Sequence, residues 1–528
     1  MIFRENLGLC LVLIFAFGGS MASQAAPSPV VDTETGVVEG IRDEGVLVYR
    51  GIPFAATTAG ENRWRPPRPA EVWEGVRSAA EFGPICPQNP RSDLNFDLGP
   101  QSEDCLTLNI WIPRDLASGE KLPVMVWIYG GNFRSGAGSW PNYDGTRLAR
   151  KGVVVVTFNY RLGYLGLLAH PSLNKTRQGE PIANYALMDQ IAALKWVQRN
   201  IAAFGGDPGR VTVFGESAGG VSVNFLLASP ATQGLFHGAI SQSGGIRIDQ
   251  TRRLDQRIQM FRSLHAEAKS LMRFAKIPDD DKTGAALQVL PLETLLAYGR
   301  NQISVSLNPV VDGQIIPDDV GTIFRQGRQQ PVPLLIGSNS WEESIPVRTG
   351  MPIKVFLIGH DRSVLTELYG PVDDVQTGNQ IFSDQVMAMP ARYLAWQQAA
   401  LDQPAYLYRF GYVSEGIRGK VPGVAHAADI SYVFQTLDKF QWGAPAGMAN
   451  TPVTETDWAF SDLVSDYWVE FARSGNPNGF GRPDWPVYTL DDDVLLELSE
   501  VITPRREYLK ARLDYHRDRA EQAAEVAH

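Results

Sequence analysis

The sequence predicts an α/β protein: a large, mostly parallel, twisted central sheet flanked by helices, with an antiparallel meander at its N-terminal end. Three observations carry that expectation. Short β-branched runs recur along the chain, most of them bounded by a glycine or proline. An amphipathic helix pattern lies between two of them. No repeat, low-complexity tract or long linker divides residues 26–528, which therefore read as a single domain. Composition agrees, because 44% hydrophobic and 20% charged residues in a chain of 528 are ordinary globular usage and exclude a disordered chain. A chain of this length can bury a large core without staples. The formal net charge of -10 leaves no basic excess to neutralise phosphates, so neither nucleic acid nor an anionic lipid surface is expected as a partner.

The first segment reads as an address. Arg4 precedes an apolar run over residues 7–17, and the small residues Ser23 and Ala25 follow at signal-peptidase spacing. This is the pattern of a secretory signal peptide over residues 1–25, with cleavage after Ala25 because Pro27 disfavours the next bond. The alternative is a short membrane anchor, but the run is too short to span a bilayer as a stable helix. Of the three cysteines, Cys10 is lost with that segment, and Cys86 and Cys105 remain. An even number in an exported chain can close one loop in an oxidising compartment. Two cysteines with no nearby histidine do not make a zinc site.

The elements follow in order. The segment to about Pro67 has closely spaced turns and reads as the meander. Residues 124–129 run into Gly130-Gly131, residues 153–158 follow Gly152, and residues 211–214 end at Gly215. Residues 239–240 are a shorter run, 333–336 end at Gly337, and 406–410 follow Pro404. Short apolar runs with turn residues beside them suit strands buried on both faces. Leu187, Ile191, Leu194 and Val197 recur at i, i+4, i+7 and i+10, a single helical stripe. It stops before the breaker Phe204-Gly-Gly-Asp-Pro208. Strands alternating with helices imply a sheet covered on both sides. Residues 505–528 are charged and helical in character, and read as a solvated surface helix or tail.

The strongest chemical signal is Phe214-Gly-Glu-Ser-Ala-Gly-Gly220, a G-x-S-x-G pattern directly after a strand and before an apolar helix. A serine on a sharp strand-to-helix turn needs small neighbours, here Gly215 and Gly219. The turn lifts the hydroxyl above the sheet edge and aims the N–H of the next residue, Ala218, at a developing oxyanion. That arrangement is the nucleophile elbow of the α/β-hydrolase fold, and Ser217 is its candidate nucleophile. Tyr129-Gly-Gly-Asn-Phe133 follows an earlier strand, where such folds keep an oxyanion loop. The N–H groups of Gly131 and Asn132 join that of Ala218 as candidate donors.

The hydroxyl needs a base, and the chain offers seven histidines. The order in this fold is serine, acid, histidine. His170 precedes the serine, His237 and His265 follow it too soon, and His516 and His528 lie in the charged tail. His360 sits beside Asp361-Arg362 like a solvated turn. His426, in a loop after the strand 406–410, is the candidate base. The acid must fix its tautomer and stabilise its cation. Glu342 and Glu343 both follow the strand that ends at Gly337, and spacing does not separate them; Asp312 is a weaker rival.

These residues stand among motifs that resemble the type-B carboxylesterases, the cholinesterase-like branch of the α/β-hydrolases that includes bacterial para-nitrobenzyl-esterase-like enzymes. The marks are Tyr49-Arg-Gly-Ile-Pro-Phe54, Glu103-Asp-Cys-Leu-Thr-Leu-Asn-Ile110, Trp127-Ile-Tyr-Gly-Gly-Asn-Phe133, Asn159-Tyr-Arg-Leu-Gly163, Asp189-Gln190, Phe204-Gly-Gly-Asp-Pro208, the Ser217 elbow, and Trp468-Val-Glu-Phe-Ala-Arg-Ser-Gly-Asn-Pro477. They span nearly all of the mature chain. The resemblance implies Ser217 as nucleophile, His426 as base and, through the pattern G-x-N-x-x-E, Glu342 as acid. It implies the same three oxyanion donors, a disulfide between Cys86 and Cys105, and a supporting role for Glu216 beside the serine.

The sequence also departs from the family pattern. Asn132 stands for a third glycine, Glu343 for a usual glycine, and Ala186 where glycine is common. No tryptophan lies between Cys86 and Cys105, so the aromatic choline site is not expected. Ile303 and Val305 stand near the positions of the bulky acyl-pocket aromatics. The expected function is hydrolysis of small-molecule carboxylic esters through a Ser-His-Glu triad and an acyl-enzyme, without metal or organic cofactor. A non-catalytic binding protein of the same fold and an interfacial lipase are the rival readings. Arg134 and Arg247 flank the expected site and would favour an acidic group on the ester.

Overall fold

The computed structural model describes residues 29–90, 97–114, 119, 121–174, 179–246, 248, 251–257, 262–280, 282–301, 307–371, 373–439 and 451–527. The expected signal peptide with Cys10, and Arg247, Ile303, Val305 and His528, lie outside the described residues.

Fourteen strands follow one another along the described residues: β1 Val30–Thr33, β2 Gly36–Glu39, β3 Ile41–Asp43, β4 Val46–Pro53, β5 Val76–Ser78, β6 Thr107–Pro113, β7 Leu122–Ile128, β8 Val154–Phe158, β9 Gly206–Glu216, β10 Gly238–Gln242, β11 Leu334–Asn339, β12 Ala405–Phe410, β13 Val494–Leu498 and β14 Thr503–Arg506. Eleven of them form one sheet in the order β14-β13-β12-β11-β10-β9-β7-β8-β6-β4-β3, and β1, β2 and β5 form a smaller one. From β13 through β8 every neighbouring pair is parallel. The edges are antiparallel, through β14 on one side and β6, β4 and β3 on the other. Every residue of β7, β8, β10 and β11 is buried. Both faces of the central sheet are therefore covered, and these strands read as continuous apolar runs rather than alternating ones.

The helical stripe predicted around Leu187 is the helix Tyr185–Asn200, and the segment after the serine is the helix Ala218–Ala228. The helix Glu455–Ser474 opens on a capping box, in which Thr454 and Asp457 satisfy each other's backbone N–H groups. Two sequence expectations need correction. The breaker ends the helix, but β9 begins inside it at Gly206, because Gly206 pairs with Leu122 before a register shift restores the ladder at Val211. The C-terminal stretch is not a solvated tail. Arg505 belongs to β14, and the helix Lys510–Ala527 docks through buried Leu513 and His516. Arg512 reaches Asp384 at 2.6 Å, and His516 Nε2 lies 2.6 Å from the Tyr369 hydroxyl. Charged residues at the surface of this helix concealed from the sequence that their partners are buried acids and phenols.

One buried ion pair anchors the loop after β8 to the helix behind it. The Arg161 guanidinium meets Asp189 through Nε at 2.8 Å and Nη2 at 2.7 Å, and the Arg161 backbone N–H adds a third bond at 3.0 Å. Asp189 is 0% exposed and Arg161 2%. Removing one member leaves the other buried and uncompensated. Asp189→Ala is therefore expected to cost roughly 3–5 kcal/mol of folding stability, and a urea unfolding curve read by tryptophan fluorescence checks this.

Candidate active site

β9 ends at Glu216, and Ser217 turns the chain into the helix Ala218–Ala228 with φ 54° and ψ −123°. Left-handed backbone at a non-glycine residue is strained and persists only where the surroundings over-determine it. The Ser217 N–H donates to the Gln242 carbonyl at 3.0 Å, and the Ser217 carbonyl accepts the first helical bond from Val221 at 2.8 Å. Steric demand completes the turn, because a Cβ on Gly219 would run into the Ile128 carbonyl oxygen of β7. The serine hydroxyl makes no hydrogen bond to another described residue, and Ser217 is only half-buried in an otherwise closed turn. It is thus presented to solvent.

The loop after β7 lies directly against this serine. A Cβ on Gly130 would stand 2.7 Å from the Glu216 carbonyl oxygen and 2.9 Å from Ser217 Cβ. Gly131 and Asn132 follow with φ 106° and 57°, so asparagine occupies left-handed backbone that it tolerates better than most residues. Its exposed side chain lies at the rim. Among the described residues, the Gly131 and Asn132 N–H groups donate to no protein acceptor, and the Ala218 N–H, in the first turn of its helix, has no partner within it. Three backbone donors are left uncommitted near one half-buried serine whose hydroxyl has no partner among the described residues.

The strand β11 and the loop after β12 bring acid and imidazole together. Trp341 N–H donates to the Val424 carbonyl at 2.9 Å, and His426 N–H donates to Ser344 Oγ at 2.9 Å. Glu342 Oε2 lies 2.7 Å from His426 Nδ1. Its Oε1 accepts from Ser243 Oγ at 2.6 Å and from the Asn339 N–H at 2.8 Å. Glu343 faces elsewhere, and Asp312 accepts from Asn184 at 2.9 Å in a separate turn. The other edge of the imidazole faces Glu216, with Nε2 3.2 Å from Glu216 Oε1 at an angle that makes no hydrogen bond. Nε2 is therefore uncommitted, next to the residue that precedes Ser217.

A model of the carboxylesterase family matches residues 27–369 and 370–516. The chain belongs to the carboxylesterase family. It is 35% identical to fumonisin B1 esterase of Sphingopyxis macrogoltabida, over 90% of this chain and 87% of that one. It is also 35% identical to para-nitrobenzyl esterase of Bacillus subtilis, over 90% and 95%. Among solved structures, the carboxylesterase of Geobacillus stearothermophilus superimposes with a TM-score of 0.79 at 34% identity, over 92% of this chain and 99% of that one. The fold is accordingly that of the α/β-hydrolases, and the activity is carboxylic-ester hydrolysis.

In this carboxylesterase the sequence missed a second layer of the site. Asp429 is fully buried, three residues after His426. It accepts from Gln242 at 2.7 Å and from Asn339 at 3.0 Å, and Gln242 in turn accepts from Trp468 at 3.0 Å. Ser243 and Ser344 also escaped notice. The i+3 spacing of Asp429 from His426 was a usable signal, but Ser243 becomes visible only when β10 is placed beside β11. Arg134, read as a possible substrate contact, donates to the Gly299 carbonyl at 3.3 Å and bonds to Tyr164. The cysteines are joined, with Cys86 and Cys105 bonded 19 residues apart.

Electrostatics separates His426 from the other described histidines. Burial pulls His170, His237, His265, His360 and His516 below the usual imidazole value. Burial acts on His426 in the same direction, but the charges of Glu216 and Glu342 and the Glu342 hydrogen bond outweigh it and raise it to about 9. Burial raises the Glu216 carboxyl to about 8, against the pull of His426. An NMR titration of the His426 ring is expected to give a midpoint above 6.5, and Glu216→Gln, which removes one of the negative neighbours, is expected to lower it.

Proposed function

We propose that this carboxylesterase hydrolyses small-molecule esters through Ser217, His426 and Glu342 by way of an acyl-enzyme. The observation that carries the reading is the half-buried serine on its strained turn, with uncommitted backbone donors in the adjoining loop and a carboxylate-bound imidazole against the Glu216 that precedes it. His426 takes the hydroxyl proton at Nε2 as Ser217 Oγ attacks the ester carbonyl. The oxygen of the tetrahedral intermediate gathers charge against the N–H groups of Gly131, Asn132 and Ala218. The imidazolium returns its proton to the departing alkoxide, which leaves as the alcohol. Water then attacks the acyl-serine, gives its proton to His426, and the collapse releases the carboxylic acid and restores the hydroxyl. Glu342 holds Nδ1–H throughout and stabilises the cation. Glu216, with Ser243, Ser344 and Asp429, keeps the imidazole and its acid in place.

Residues 1–25 are read as a signal peptide removed on export, and the mature chain as one hydrolase domain acting outside the cytoplasm. The bond between Cys86 and Cys105 supports that reading, because such a link persists in oxidising compartments. Its loss in a Cys86→Ser/Cys105→Ser variant is expected to cost about 3 kcal/mol, measured as a lower midpoint in chemical unfolding. Mass spectrometry of the exported protein tests cleavage after Ala25.

Hydrolysis of p-nitrophenyl acetate and butyrate tests the mechanism. Ser217→Ala and His426→Ala are each expected to lower kcat by roughly 10⁴-fold or more, with the fold retained by circular dichroism. Full activity in Ser217→Ala would remove the nucleophile assignment. kcat/KM for the wild type is expected to rise with pH along the ionisation of His426, above 6.5, because the base acts only when neutral.

A further inference from the structure

The loop after β7 holds an unfavourable shape. Gly131, Asn132 and Phe133 take positive φ in succession, at 106°, 57° and 53°. Left-handed backbone at residues such as Asn132 and Phe133 persists only where the surroundings over-determine it. The turn closes on itself, because the Gly131 carbonyl accepts from the N–H groups of Arg134 and Ser135 at 3.0 Å and 3.2 Å. Those bonds fix the internal shape of the turn. Its place against Ser217 depends on bonds that leave the turn.

Two consecutive residues of the loop are bound by two consecutive residues of the short helix Gly163–Gly166. The Phe133 carbonyl accepts from the Gly163 N–H at 2.6 Å. The Arg134 guanidinium bonds to Tyr164, and its Nη1 donates at 3.3 Å to the Gly299 carbonyl in the helix Leu292–Asn301. Tyr164 is pinned in turn. Its carbonyl accepts from Trp64 Nε1 at 2.7 Å, and its hydroxyl donates to Glu267 Oε1 at 2.8 Å. Tyr298, also from the helix Leu292–Asn301, donates to the same oxygen at 2.9 Å, and the two phenol rings lie 5.0 Å apart. Glu267, in the helix Leu264–Ala275, is fully buried, and both tyrosines are buried. Burial lowers the Arg134 guanidinium below its usual value, while Tyr164 and Glu267 act against that. Hydrogen bonds to a buried carboxylate are strong, so the chain from Arg134 through Tyr164 to Glu267 is a firm anchor.

We infer that Arg134 is a positioning residue for the backbone donors of Gly131 and Asn132, anchored through Tyr164 and Glu267 to helices outside the site. The inference rests on the Ser217 mechanism proposed above. Arg134 directly follows the strained run. Its head group is committed to Tyr164 and Gly299, so it acts on the reaction through the loop and not by touching the ester. The helix Leu292–Asn301 contributes to the anchor twice, through Gly299 and through Tyr298. A displacement of about 1 Å at a reacting centre costs on the order of 10²-fold in rate. Loosening the anchor therefore weakens the hold on the tetrahedral oxyanion, while ground-state binding of the ester stays nearly as it was.

Two variants of the mature protein test this: Arg134→Met, which keeps the stem and removes the guanidinium, and Tyr164→Phe, which keeps the ring and removes the hydroxyl. Each is expected to lower kcat for p-nitrophenyl butyrate by about tenfold or more, with KM changed by less than about twofold. Affinity for an alkyl trifluoromethyl ketone, which is held as a tetrahedral adduct, is expected to fall by a similar factor. Arg134→Lys is expected to recover part of both losses. The double variant is expected to lose little more than either single one, because both break the same chain. Neutral p-nitrophenyl butyrate and anionic p-nitrophenyl hydrogen adipate are expected to lose kcat/KM equally. Where one variant does not fold, the other decides. Unchanged kcat and ketone affinity in a folded variant, a raised KM with kcat retained, or a loss confined to the anionic ester would each overturn the assignment. A wild type indifferent to the ketone, or a fully active Ser217→Ala, would remove the mechanism itself and this inference with it.

Discussion

The geometry of the site depends on one close approach of backbone to backbone, where Gly219 passes the Ile128 carbonyl at the end of β7. Any side chain at that point would push the helix Ala218–Ala228 away from the sheet. With the helix seated, the chain between β9 and the helix has a single residue in which to reverse, and Ser217 takes the positive φ that results. The same contact places the loop after β7 beside the serine. The strained serine and the uncommitted backbone donors are thus consequences of one packing event. Strain of this kind is retained only where the surrounding sheet is rigid, and strands buried along their whole length provide that rigidity.

The second half of the site comes from strand order rather than from local sequence. β10, β11 and β12 are neighbours in parallel register, so the loops at their C-terminal ends fall side by side. Ser243 follows β10, Glu342 follows β11 and His426 follows β12, and the bonds among them cross sequence separations of 99 and 84 residues. Parallel sheets gather side chains at this edge because crossover helices return each strand to the same starting end. Asp429, Gln242 and Asn339 then tie the three loops together beneath the imidazole, so that its orientation does not rest on Glu342 alone.

This division explains what the sequence made legible. The elbow and the glycine loop are local devices, and their residues announce them. The buried strands were found because apolar runs bounded by glycines have few other readings. The choice between Glu342 and Glu343 was closed to spacing, since adjacent residues at a strand end point in different directions and only the family pattern separated them. In the structure one meets His426 and the other meets a cavity. The C-terminal helix was misread for a related reason. Its charged residues belong to the surface by composition, but Arg512 pairs with the buried Asp384 and Asp514 with the half-buried Arg392, and a sequence records the charge without recording its partner. The start of β9 at Gly206 was missed because glycine and proline mark a break, whereas pairing with Leu122 extends the strand through them.

The crowding of carboxylates around His426 sets function against stability. His426 is held above its free value of about 6.5, to about 9, so its partnership contributes fully to stability below the free value and is lost as pH rises through the folded one. Glu216 is displaced upward by burial, from 4.5 to about 8. The folded state therefore keeps a proton that the unfolded chain releases, and stability again falls as pH rises across that interval. Both groups make the folded site the better proton binder between about 4.5 and 9. In the proposed mechanism, however, His426 acts as a base only after that proton has left. The conditions that free the imidazole are those under which the buried carboxylates are least welcome, and the hydrogen bonds from Ser243, Asn339 and Gln242 are what allow Glu342 and Asp429 to remain in place when the neutral imidazole no longer balances them.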